Sequence, residues 1–479
     1  MSADLILPQG VSVLAATSGA GGQSGDYTAT GLSAGGTWSA GSNTGAFAYS
    51  YPIAVPPAIG GSVPNVDLSY NSASQDARTE GTNDQSSWLG DGWSSSDNYV
   101  ERTYKSCSDV SGSGAPDQDG DQCWAGQILT LSLNGQSTPI VYDDDTKTFR
   151  PAEDDATTKI EDLAGASNGT KNGEYFRVTE NGVQYYFGLN RLPGWSTGSD
   201  ETKSAWTVPV YNAHGGVNDC PDGSFADTAC ALGYRFNLDY IVDLHNNAMA
   251  YYYAPEIGFY GADLKNTAVS YVRGGTLARI DYGMTASSIY SGTAPEQIMF
   301  DATAERCFAG LPAANTCSES QFTATNSNYW PDVPIDLNCV SGATNCTTYA
   351  PTFWSRKRLT SITTRVQVGG ATKNVDRYDF TESFPDGGDH APNLWLDSIK
   401  HTGLDTLGVP AGATSPATQT PTTSFDPPLQ LQNRVGTSTG VLSGTYPTGC
   451  FPSGRRTRRC GPRTGRRTRP ACRPPAKPW

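Results

Sequence analysis

Long apolar runs are missing from this sequence, and so are the helix-favouring stretches common in large globular proteins. A membrane-spanning helix needs about 18 or more consecutive apolar residues, and no stretch approaches that, so no helical span is expected. Methionine occurs only 4 times and charged residues make up only 17% of the chain, while 53 Gly and 31 Pro interrupt it throughout. Those two residues cost about 1 and 3 kcal/mol in helix interiors, which excludes a mainly helical architecture. Histidine is equally scarce. His214, His245, His390 and His401 stand far apart, with neither an H-E-x-x-H run nor an i, i+4 pair, and no Cys-x2-Cys spacing occurs. Neither a metal centre nor a cofactor is therefore expected.

What the chain does have is strand grammar. Its 24 Tyr and 10 Trp, together with many Thr and Val, favour β-structure. Phe47, Tyr49, Tyr51, Ile53 and Val55 alternate with small or polar residues, Pro56-Pro57 and Gly60-Gly61 make a turn, and Val66, Leu68 and Tyr70 alternate again. This predicts a half-buried antiparallel pair. Asn134-Gly135 and Asn181-Gly182 each sit between two such runs, and a two-residue type I′ turn demands this dipeptide because both positions need positive φ. A third hairpin is expected from Leu238 to Tyr253, turning at Asp243–Asn247. Further strands are expected over Leu277–Tyr282, Leu359–Val368 and Val375–Phe380. With 479 residues the chain accommodates two to four domains or one large β assembly.

Charge and cysteine divide the chain unevenly. From Phe451 onward there are nine Arg and one Lys and no acid, which leaves 23 basic against 47 acidic groups before it, a net of −24. So acidic a body repels nucleic acid and anionic membranes. Cys450, Cys460 and Cys472 lie at or in the basic tail. The other eight fall into near neighbours: Cys107 with Cys123, Cys220 with Cys230, Cys307 with Cys317, and Cys339 with Cys346. Even numbers in local pairs within Gly- and Asp-rich loops predict four short-range disulfides and an oxidising compartment. The start has no basic region before an apolar one, so either it lies inside a longer gene or export follows another route.

Several patterns that carry chemistry elsewhere are weak here. Gly31-Leu32-Ser33-Ala34-Gly35 matches the nucleophile-elbow spacing but lacks the strand before and the helix after it that expose the serine. Asp117-Gln118-Asp119-Gly120-Asp121 departs from an EF-hand loop and reads as a solvated acidic loop, and Asp143-Asp144-Asp145 as a plain turn. Among 47 acids some pair always falls at a glycosidase separation, so carboxylates alone support no hydrolase. Trp88, Trp93, Trp124, Trp195, Trp354 and Trp395 are expected in the core more than on sugar-stacking surfaces.

Taken together, certain phrases resemble one family. They are Thr44 to Ile53, then Pro56-Pro57 and Gly60-Gly61, then Val66 to Ser72, and Trp88-Leu89-Gly90-Asp91-Gly92-Trp93 with Arg102. This order is similar to the opening region of RHS-repeat proteins and of the B component of Tc toxin complexes. Tyr186 to Trp195 with Gly194, Phe353-Trp354-Ser355 with Arg358, and Leu394 to Ile399 resemble an actinobacterial branch. The resemblance implies an all-β fold of antiparallel hairpins and sandwich-like sheets with long disulfide-linked loops, part of a larger secreted shell. It also implies contacts with C-terminal shell repeats and a toxin cargo. The long Tyr-Asp repeat array, the self-cleaving core and the toxin are not in this sequence, so the chain is expected to be a truncated front portion.

Five regions follow. Residues 1–43 read as a flexible Gly/Ser-rich leader, 44–405 as the β-rich scaffold, 406–428 as a Pro/Thr-rich linker, and 429–450 as the start of a further β segment. Residues 451–479 read as a basic tail with the composition of frameshifted GC-rich DNA, or alternatively as a nucleic-acid arm. The leading expectation is a non-catalytic, secreted or cell-surface scaffold that encloses or presents an effector. The competing one is a secreted carbohydrate-binding module or glycoside hydrolase acting on wall or host glycans.

Overall fold

The computed structural model describes residues 35–426, apart from 42–44, 76–84, 147, 154–156, 218–219, 308–316, 386–391, 405–417 and 420–421. Among them, strands dominate and the helices are short 3-10 turns. Ser33 of the elbow-like pattern, His390 and everything from 427 onward, including Cys450, Cys460 and Cys472, lie outside the described residues.

Both Asn-Gly dipeptides turn as their chemistry requires, with φ of 53° and 79° at Asn134-Gly135 and 51° and 82° at Asn181-Gly182. The first joins Leu129–Leu133 to Gln136–Asp143, and the second joins Tyr175–Glu180 to Val183–Phe187. The Leu-Thr-Leu-Ser-Leu strand buries its three leucines and turns the hydroxyls outward, as period-2 alternation dictates. In the third hairpin, Asp243 Oδ1 accepts from His245 N (2.8 Å) and Asn247 N (2.9 Å), and Asn246 takes the left-handed position at φ 62°.

These hairpins close into a barrel. Antiparallel pairing runs from Tyr99–Arg102 through Leu129–Leu133, Gln136–Asp143, Thr148–Pro151, Thr158–Leu163, Tyr175–Glu180 and Val183–Phe187 to Cys230–Val242. That last strand returns to Tyr99–Arg102 at Phe236↔Val100 and closes the ring. Closure removes sheet edges that would otherwise invite association. The Cys230–Val242 strand also starts a long antiparallel sheet through Asn247–Tyr260, Val269–Thr285, Glu296–Asp301, Ser361–Val368, Ala371–Ser383 and Trp395–Gly403.

A separate four-stranded sheet, Thr37–Ala40, Phe47–Pro52, Asp67–Asn71 and Trp93–Ser95, packs its aromatic face onto this long sheet. Tyr51 meets Tyr378 edge to face at 6.2 Å, and Tyr378 Oη takes a bond from Ala54 N at 3.0 Å. One continuous core joins the two sheets and the barrel, running from Leu68 and Trp93 through Ile280 and Ile298 to Phe176 and Phe236. The expected hairpin pair Phe47–Tyr70 is present, with Tyr49 opposite Tyr70 and Tyr51 opposite Leu68.

Two expected boundaries differ. Thr37–Ala40, inside the stretch read as a leader, is the outer strand of the four-stranded sheet, because Trp38 lies opposite Tyr49 and stacks on Phe47 at 6.3 Å. Within the stretch read as a linker, Thr418–Gln419 and Thr423–Ser424 pair with Trp395–Gly403, and Phe425 packs edge to face on Trp93 (4.9 Å) and Tyr49 (5.6 Å). A single aromatic in a Pro/Thr-rich segment is enough to anchor it. Four disulfides, Cys107–Cys123, Cys220–Cys230, Cys307–Cys317 and Cys339–Cys346, staple the loops in the expected pairs.

Phe236 is fully buried where barrel and sheet meet, edge to face with Phe176 at 5.0 Å. Phe236→Ala is expected to cost about 3–5 kcal/mol, read as a lower denaturation midpoint in urea.

Candidate functional site

A cleft of about 570 Å³ opens between the four-stranded sheet, the barrel strand Tyr99–Arg102 and the Val269–Thr285 strand. The loops carrying Trp88 and Phe353-Trp354-Ser355 complete its wall. A second hollow of about 370 Å³ shares Ser95, Ser96, Asp97 and Arg235 with it.

Three arginines reach the wall from well-buried positions, and each has its carboxylate behind. Arg102 holds Glu174 with two bonds of 2.6 Å and reaches Gln127 at 2.7 Å. Arg273 pairs with Glu256 at 3.1 Å and lies 3.7 Å over the Trp354 ring. Arg306 pairs with Asp332 at 2.5 Å. At the mouth Arg235 stacks 3.6 Å over Tyr99 and sits between Glu101 (3.3 Å) and Asp97 (3.7 Å).

Burial, reinforced by the charge of Glu174, pushes the Asp162 carboxyl up to about 7.

The residues carrying the family resemblance are spread along the contacts between sheets. Pro56 O accepts from the buried Tyr282 hydroxyl at 2.8 Å, while Pro57 is exposed. Gly90 has φ 113°, and a Cβ there would meet Leu394 O and Leu396 N at 3.0 Å. Only glycine allows this backbone contact, which Asp91 N→Leu394 O (2.8 Å) completes. Gly92 (φ 77°) lies against the Tyr70 ring, and Trp93 is buried beside Tyr49 and Phe425. Gly194 (φ 87°) turns a loop in which Trp195 stacks under Arg191 at 3.9 Å and donates to Ser199 O. Arg102 and Trp354 line the cleft, as do Val66, Asp67, Leu68, Trp88, Phe353 and Ser355 of the resembling phrases.

Trp93, Trp354 and Trp395 are buried, as expected, and Trp88, Trp124 and Trp195 are half-buried. His214 and His401 each lie beside a carboxylate, Asp222 at 3.6 Å and Asp376 at 2.7 Å, and His245 is exposed in its turn.

The acidic loop is a correction. Asp119 and Asp121 are buried, not solvated. Asp121 accepts from the Tyr260 hydroxyl (2.5 Å) and from Asp263 N (2.6 Å), so the Cys107–Cys123 loop is docked onto the long hairpin. Asp119 Oδ1 takes Asp121 N at 3.1 Å. No group of metal-binding side chains is assembled among the described residues. Asp143, by contrast, caps its own turn through Asp145 N and Thr146 N, as read.

Cleft residues missed in the sequence include Trp206, Tyr253, Arg235 and Arg273. Trp206 belongs to the strand Ala205–Tyr211, which alternates buried and half-buried side chains and contains Pro209, a residue uncommon inside a central strand. The strand tolerates Pro209 at the margin of the assembly, where its far edge meets only the two-residue strand Gln122–Cys123.

Burial pushes Asp121 up to about 7, Asp239 to about 6 and Glu382 to about 7. Carboxyls raised above their unfolded values near 4 stabilise fully below that value, and lose their contribution as pH rises through the folded one. Urea stability should therefore increase from pH 8 to pH 6, and Asp121→Asn should flatten that slope.

No protein-family model and no curated protein matches this chain. Among solved structures it is similar to TcdB2-TccC3, with TM-score 0.41 and 14% identity over 80% of this chain and 17% of that one. It is also similar to the Photorhabdus luminescens Tc holotoxin pore, at TM-score 0.37 and 13% identity over 79% of this chain and 16% of that one. A third is the N-terminal domain of effector protein SpvB from Salmonella typhimurium strain LT2, at TM-score 0.35 and 13% identity over 74% of this chain and 98% of that one. The chain thus spans less than a fifth of the length of the first two.

Proposed function

We propose that this chain is a non-catalytic scaffold segment of a larger secreted shell of the RHS or Tc type, working through contacts with further shell repeats and an effector cargo. The observation that carries this reading is where the family-resembling residues go. Gly90, Gly92 and Trp93 seat the four-stranded sheet on the long one, Pro56 ties the two through Tyr282, and Arg102 locks the barrel wall to Glu174. Residues spent on joining sheets serve a wall, whereas a reaction needs a nucleophile, an acid or a base converging on one point. The closed barrel and four disulfides supply a rigid, oxidation-compatible frame for secretion.

The test is twofold. Sequencing the DNA beyond the codon for Asn433 in all three forward frames should reveal Tyr-Asp repeats followed by an effector domain. The purified chain should also release no product from wall or host glycans. A genuine stop codon with nothing downstream, or turnover of any glycan, would overturn the reading.

A further inference from the structure

We propose that the cleft between the four-stranded sheet and the barrel binds an uncharged oligosaccharide. The cleft consists of two neighbouring hollows, about 570 and 370 Å³, that share Ser95, Ser96, Asp97 and Arg235 in their lining. Each falls in the range of small-ligand sites, which runs from roughly 300 to 1,000 Å³. Two hollows side by side offer room for more than one sugar ring.

The lining supplies what a sugar requires, apolar faces for its C–H surfaces and a ring of donors and acceptors for its hydroxyls. Phe353 stands at the wall 43% exposed and braced on Tyr234 at 4.6 Å, and Trp206 meets Tyr253 edge to face at 6.4 Å. Rigid aromatics of this kind bind with little entropy loss. Ser96, Asp97 and Asn98 form one polar lip, and Glu101 and Asn65 extend it.

Charge selects the class of sugar. Arg102 and Arg273 are neutralised from behind by Glu174 and Glu256, and Arg235 is shared by Asp97 and Glu101. Every arginine of the cleft lining, Arg306 with Asp332 included, thus already has a carboxylate beside it. The body beyond carries a net −24 before residue 451, which repels anions further. Matched charges with many hydrogen-bonding groups favour a polyol over an ion.

Gly274 offers a way to close the site without touching its chemistry. It lines the cleft, and a Cβ there would meet nothing nearer than Trp354 O at 3.6 Å. Its backbone is in a strand, so Gly274→Val suits the local conformation.

The experiment is calorimetric titration of the full chain with hexasaccharides of glucose, galactose and N-acetylglucosamine, beside an anionic hexuronate. At least one neutral sugar should bind saturably below about 1 mM and more tightly than the hexuronate. Gly274→Val should abolish that binding with an unchanged melting curve, and Phe353→Ala should weaken it about tenfold. Should Gly274→Val melt early, Phe353→Ala decides alone. No saturable binding of any neutral sugar, tighter binding of the hexuronate, or wild-type affinity in the deciding variant overturns the proposal. Each of these results leaves the scaffold reading standing, because that reading does not depend on the cleft.

Discussion

One strand, Cys230–Val242, bears the architecture, because it is hydrogen-bonded along both edges to different partners over its length. Tyr99–Arg102 and Ala205–Tyr211 flank its first part, and Val183–Phe187 and Asn247–Tyr260 flank its second. Barrel closure and the departure of the long sheet both occur on it. Around Phe236–Tyr240 the strand is buried on both faces, so the polar residues Asn237 and Asp239 lie in the interior. Each must find partners or cost several kcal/mol. Asp239 Oδ2 accepts from Asn190 N (2.7 Å), Thr202 Oγ1 (2.8 Å) and Ser204 Oγ (2.7 Å), while Asn237 donates its side-chain amide to Ser204 O at 2.9 Å. The loop around Gly194 and Trp195 is thereby shaped by the strand it covers.

The same logic explains the buried arginines. A wall built of two sheets and a barrel has junctions where backbone carbonyls and loops meet, and Arg102, Arg273 and Arg306 fill them with planar donor arrays. Each is matched to one carboxylate. Removing a partner would leave an uncompensated buried charge, which is far more costly than the pair itself is stabilising. These contacts therefore define how the parts sit together more than they add to net stability, and the cleft is the space left between them.

Much of the fold was legible beforehand. Asn134-Gly135 and Asn181-Gly182 announce their hairpins because positive φ at two adjacent positions admits few other residues, and the local cysteine pairs announce their disulfides because the loops between them are short. The acidic loop was misread for a related reason. Asp117–Asp121 has the composition of a solvated turn, yet Asp121 is held in the interior by Tyr260 and Asp263, more than a hundred residues away. Thr37–Ala40 and Phe425 were hidden likewise, since one aromatic in a small-residue context acquires meaning only from the ring it lands on.

By itself the sequence determined an all-β, disulfide-stapled chain of antiparallel hairpins, since period-2 alternation, turn dipeptides and cysteine spacing act over a few residues. The tertiary structure alone decided that the hairpins close into a barrel through one doubly covered strand, that Asp119, Asp121 and Asp239 are interior, and that Trp206, Tyr253 and Arg235 share a cleft. Those outcomes depend on which strand edges meet across long separations, and local pattern carries no record of that choice.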